Sequence, residues 1–108
     1  AAAQGTVTQA TNKSTAVTLN KSAGRITMNA AALAGAAAVS FTLTNSLISA
    51  NDVLVLCVSA GSVGDVTTYG VYTNNLGAGT AGITLRNLTA ATSQSEAVVI
   101  NFALIHCD

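Results

Sequence analysis

The segment Val39-Ser-Phe-Thr-Leu-Thr44 alternates apolar and hydroxyl side chains without a break. A two-residue period of that kind fits a β-strand with one buried face and one wet face. The same period recurs along the chain. Thr6-Val-Thr8 opens it, and Thr15-Ala-Val-Thr-Leu-Asn20 places Val17 and Leu19 on one side. Arg25-Ile-Thr-Met28 alternates again, and Ala81–Asn87 points Ile83 and Leu85 inward with Thr84 and Arg86 outward. Val66–Thr73 reads as a further strand carrying both tyrosines, Tyr69 and Tyr72, on opposite faces. No proline occurs, so the turns rest on Gly, Asn, Asp and Ser. Asn45-Ser46, Gly61–Asp65, Asn74–Gly79 and Leu88–Ser95 are the expected connections, and Asn29–Gly35 reads as one helical turn or a loop. About eight short strands at regular spacing predict an all-β fold. We expect an antiparallel β-sandwich, jelly-roll-like, filling one domain over residues 1–108 with a short N-terminal arm at 1–4.

Two runs break the alternation. Every residue from Val53 to Val58 is apolar, and Asn101 is the one strongly polar residue between Ala97 and Ile105. Strands of this composition are expected to have both faces covered, the outer one by a loop, a neighbouring subunit or a binding partner. The charge content points the same way. Lys13, Lys21, Arg25, Arg86, Asp52, Asp65, Glu96 and Asp108 are the only formal charges, and they cancel. Ordinary domains carry about a quarter charged residues. So neutral a surface does little to keep copies apart. The core is also short of anchors, with two Phe, two Tyr and no Trp. Burial between subunits would relieve that shortage, so self-association is expected.

Several function classes fall away. Four scattered cations make no basic stripe for nucleic acid. No run of eighteen apolar residues is present to form a membrane-spanning helix. Ala1-Ala-Ala-Gln4 lacks the basic and apolar regions of a signal peptide, so either the chain is not secreted by that route or the signal is already gone; Ala1 also fits removal of an initiator methionine. His106, Cys107 and Asp108 gather a base, a thiol and an acid, but strand neighbours face opposite ways. Asp52, Asp65 and Glu96 lie near strand ends, where carboxylates solvate or cap backbone groups. One histidine and two distant cysteines make no zinc site within one chain. The Gly-rich Leu76–Gly82 segment lacks the Lys-Ser/Thr of a phosphate loop and reads as a hairpin connection. Cys57, inside an apolar run, reads as a buried free thiol acting as filler, with pairing to Cys107 as the alternative. Asn12, Asn20 and Asn87 each begin an Asn-x-Ser/Thr triplet, as chance allows in so Asn- and Thr-rich a chain. The expectation is a protein without enzymatic activity, cofactor or metal.

Three stretches carry a resemblance: Gly5-Thr-Val-Thr-Gln-Ala-Thr-Asn-Lys-Ser-Thr-Ala-Val-Thr-Leu-Asn20, Val39-Ser-Phe-Thr-Leu-Thr-Asn-Ser46 and Ser95-Glu-Ala-Val-Val-Ile-Asn-Phe-Ala-Leu-Ile105. They resemble a module of tailed-bacteriophage structural proteins, found as short virion proteins and as terminal domains of fibre-like proteins. With no fibre-forming shaft before it, the chain is expected to be a capsid decoration (cement) protein. The resemblance implies a homotrimer made in the bacterial host cytoplasm and bound through the major capsid protein to the outer surface of the virion. The arm Ala1, Ala2, Ala3 and Gln4 is the expected partner-binding segment, ordering against a neighbour. The alternative is the receptor-binding tip of a tail fibre. It would contact a host surface receptor or glycan through Gly61–Asp65 and Asn74–Gly79.

Overall fold

Alternation decides which face each strand buries. The computed structural model describes residues 4–59, 61, 63, 68–89 and 92–105. Within them the chain forms eight strands: β1 (Gln4–Thr8), β2 (Val17–Thr18), β3 (Ala23–Thr27), β4 (Ala38–Thr44), β5 (Val53–Val58), β6 (Tyr69–Gly77), β7 (Thr80–Asn87) and β8 (Val99–Ile105). On β4, Phe41 and Leu43 are buried while Ser40, Thr42 and Thr44 are exposed, as the period requires. On β7, Ile83 and Leu85 are buried and Arg86 is exposed. Asn29–Gly35 forms no helix. Asn29 Oδ1 instead accepts from the Ala31 N–H at 2.9 Å, a local turn, and Leu33 forms an isolated bridge with Gln94.

The strands make two four-stranded sheets, ordered β1-β3-β8-β5 and β2-β4-β7-β6. The all-β sandwich-like fold is as expected; the sheets are mixed where a wholly antiparallel sandwich was anticipated. β1 runs parallel to β3 and β2 parallel to β4, whereas the other four pairings are antiparallel. The reason lies in the chain path. β1 and β3 share a sheet but are separated in sequence by β2 in the other sheet, so the chain returns in its original direction; β3 separates β2 from β4 in the same way.

The remaining six strands wind as a ribbon. β3 pairs with β8 in one sheet, and their sequence neighbours β4 and β7 pair in the other. That nested order is the winding of a jelly roll. The crossings 28–37 and 88–98 continue the ribbon between sheets, joined by Met28 N–H to Val98 O at 2.8 Å, by Leu33 and Gln94 in both directions, and by Ala36 N–H to Thr89 O at 2.8 Å. Between the sheets, Ile26, Met28, Leu43, Ile83, Leu85, Val98 and Ile100 are fully enclosed, with Phe41 and Phe102 contributed from opposite sheets.

Two asparagines end the ribbon's inner strands. Asn45, just past β4, donates to Lys21 O at 2.6 Å and accepts from Leu47 N–H at 3.0 Å. Asn87 closes β7 and is wholly buried. Its amide nitrogen donates to Leu33 O at 2.9 Å and Thr92 O at 2.8 Å, and its oxygen accepts from Thr89 N–H and Oγ1. Burial also removes Asn87 as a glycan acceptor in the folded chain.

Two expected boundaries move. Asn74–Gly79 is not a loop: β6 runs on to Gly77, and the hairpin closes through Ala78 and Gly79, whose φ of 81° favours glycine. Gln4 belongs to β1, paired with Ala23, so the expected arm overlaps the sheet at its last residue.

Because Asn87 holds carbonyls of both crossings, Asn87→Ala is expected to cost about 2–3 kcal/mol and lower the melting midpoint by roughly 10 °C or more. Urea and thermal denaturation measure it; an unchanged midpoint would show that the crossings do not need the amide.

Candidate functional site

The outer face of the sheet β1-β3-β8-β5 divides into a polar half and an apolar half, and strand register shows why. One row across the sheet is Thr6, Arg25, Asn101 and Cys57; the next includes Ala23, Ala103 and Val55; the last pairs Ile105 with Val53. Arg25 is fixed flat across the sheet by Nε to Asn101 Oδ1 at 3.1 Å and Nη2 to Ser59 Oγ at 2.9 Å. Shallow concavities of about 520 Å³ and 320 Å³ flank it and share Thr6 and Arg25 as walls.

Beyond Arg25 the face is apolar. Val53 and Val55 are each 47% exposed and Ile105 is 51% exposed, with Cys57 and Ala103 exposed between them. The outer faces of β5 and β8 were expected to be covered by a loop, a neighbouring subunit or a binding partner; among the described residues no loop of this chain covers these five side chains. One expectation is corrected here. Cys57 was expected as a buried filler; its parity on β5 puts it on the outer face, where it is an exposed free thiol. Apolar composition alone could not separate the two faces of β5, because both are apolar.

A second cluster lies beneath the crossings and was not legible in the sequence. Lys13 is only 3% exposed, and its Nζ donates to the main-chain carbonyls of Asn29 and, at 2.7 Å, Glu96. Gln9 locks the same loop, donating to Lys13 O at 2.9 Å and Thr15 O at 3.0 Å while accepting from Asn29 N–H. Tyr69, at the start of β6, donates its hydroxyl to Glu96 Oε1 at 2.7 Å. Burial pushes the Lys13 ammonium below the usual lysine range against the opposing pull of the Glu96 carboxylate. Burial raises the Tyr69 hydroxyl well above its ordinary value, helped by its hydrogen bond to Glu96 and by that group's charge. The cluster ties the β1–β2 loop to both crossings. Its groups are occupied with one another and with backbone, an arrangement suited to holding structure.

The remaining candidates are soon placed. Asp52 Oδ2 accepts from Ser49 N–H at 2.9 Å, capping the turn before β5. Asn12 and Asn20 are exposed and bond within or between turns. Ala1, Ala2, Ala3, Asp65, His106, Cys107 and Asp108 lie outside the described residues. Among the described residues no three His, Cys, Asp or Glu side chains come together as a metal site.

Tyr69 gives the cluster a pH signature. Its raised folded-state pKa stabilises the fold fully below the unfolded value of 10.0, and that contribution is lost as pH rises above it. Lys13 acts with the opposite sign, so stability gains from it as pH climbs toward 10.5. Urea melts across the alkaline range are expected to show wild type losing stability above pH 10 relative to Tyr69→Phe. Parallel curves would remove Tyr69 as the titrating group. Comparison of the chain with protein-family models, with curated protein sequences and with solved structures finds no match.

Proposed function

We propose that the chain is a bacteriophage virion structural protein, a capsid decoration (cement) protein that binds the outer shell and stabilises it. The observation that carries this reading is the apolar strip Val53, Val55, Cys57, Ala103 and Ile105, exposed on a sandwich with only eight formal charges. The phage-module resemblance of the strands supplies the context.

The proposed mechanism is thermodynamic. A protein that binds the assembled lattice and not its free subunits adds its binding free energy to the assembled state. Five side chains from two adjacent strands are far fewer than the 20–30 residues a side of a standard interface. One such contact is weak; a homotrimer engaging several major capsid protein subunits multiplies it through effective concentration. Packing of uncharged side chains also makes attachment insensitive to salt.

Val55→Lys and Ile105→Lys place a charge in the strip without touching the core, and each is expected to reduce occupancy on expanded empty capsids by about tenfold or more with the melting midpoint kept. Removing residues 1–3, which leaves the described part of β1 intact, is expected to weaken attachment as well. Quantitative pelleting with cognate capsids reads both. Full occupancy by the strip variants, or a steep loss of wild-type attachment with added salt, would overturn the decoration reading.

A further inference from the structure

The outer face of the other sheet, β2-β4-β7-β6, has a different chemistry. Ser40, Thr42 and Thr44 project from β4, Thr80 and Thr84 from β7, and β6 adds a bulge. The register shifts between Thr73 and Asn75: Thr73 pairs with Ile83 and Asn75 with the very next residue, Gly82. The extra residue is Asn74, and the bulge turns two consecutive asparagines toward one face. Bulges re-aim side chains in this way next to functional sites.

Gly82 makes room for them. A Cβ there would collide with Asn74 Oδ1 and sit 3.2 Å from Asn75 Oδ1. The bare glycine floors a trough of about 250 Å³ walled by Ser40, Thr42, Asn74 and Asn75 and closed by Ser14 and Ala16 of the β1–β2 loop. Asn74 is held rigid, its amide donating to Thr84 Oγ1 at 2.7 Å and Ser40 Oγ at 3.3 Å. Ser40 and Thr84 are themselves bonded at 2.8 Å. Beside Thr84 in the register stands Tyr72, 51% exposed. Its ring folds back over Gly70, where a Cβ would lie 2.9 Å from Cζ, and so turns toward the Arg86 end of the face and away from the trough.

We infer that this trough binds a single residue of a neutral carbohydrate. None of its lining residues is charged, which disfavours an ionic ligand. Hydroxyls and carboxamides both donate and accept, matching sugar hydroxyls that do the same. The volume falls below the roughly 300–1,000 Å³ of sites that enclose drug-sized ligands, which suits one ring of a longer glycan. The pre-set Asn74 lowers the ordering cost of binding. The inference does not depend on the decoration reading, since it uses the opposite sheet.

The test is a titration of isotope-labelled protein with the methyl glycosides of glucose, galactose, mannose and N-acetylglucosamine, followed by amide NMR. At least one glycoside is expected to shift the signals of Ser40, Thr42, Asn75 and Gly82 with a millimolar dissociation constant. Asn75→Ala and Thr42→Ala are expected to weaken that binding about tenfold or more. Thr80→Ala, at the hairpin end of the same face, is expected to leave it unchanged. If one trough variant misfolds, judged by its core amide signals, the other still decides. Absence of shifts with all four glycosides, shifts centred on Arg25, or full affinity in the folded trough variants would overturn the site.

Discussion

Everything in this sandwich hangs on two long crossings lying side by side. Residues 28–37 carry the chain from β3 to β4, and residues 88–98 carry it back from β7 to β8. Each would be costly alone, because backbone leaving a sheet must find new hydrogen-bond partners. They solve part of the problem jointly, pairing at Leu33 with Gln94, while Asn87 binds the carbonyls of Leu33 and Thr92 and Lys13 those of Asn29 and Glu96. The sheets stay in register because the crossings do, and both outer faces inherit their geometry from that register.

Those faces are strongly unlike. One is mostly hydroxyl and carboxamide, with Arg86 and Tyr72 beyond them; the other is split between an anchored arginine and a bare aliphatic strip. A core of Val, Leu, Ile, Met and two Phe suffices to hold them together, and little of the chain is spent on charge. Two of the four cations are given structural work, Lys13 under the crossings and Arg25 across β3 and β8. Lys13 takes its charge off the surface, whereas Arg25, held by the uncharged Asn101 and Ser59, keeps its charge there.

How much of this was legible in the sequence depends on the range of the interaction. Period-two segments such as Val39–Thr44 and Ala81–Asn87 announce both strand and facing, because the signal is local. Val53–Val58 announces a strand and hides its facing, since Val55 and Leu56 are equally apolar although one faces out and the other is half-buried. The parallel placement of β1 and β2 was hidden because pairing partners come from distant chain. Lys13 was hidden for the same reason: its carbonyl partners lie at Asn29 and Glu96, and nothing around residue 13 marks it for burial. Asn74-Asn75 read as a turn because asparagine pairs usually are; the bulge that keeps them in a strand needs Gly82 opposite, a cross-strand fact.

The parallel placement of β1 and β2 has a mechanical consequence. Each pairs with one strand only, and each sits at the outer margin of its sheet. Peeling both away breaks no pairing among the other six. The first fifth of the chain is thus a sleeve slipped over the six-stranded ribbon and buttoned at Lys13. Its removal would bare the margins of β3 and β4, leaving one row of backbone donors and acceptors on each without a strand partner.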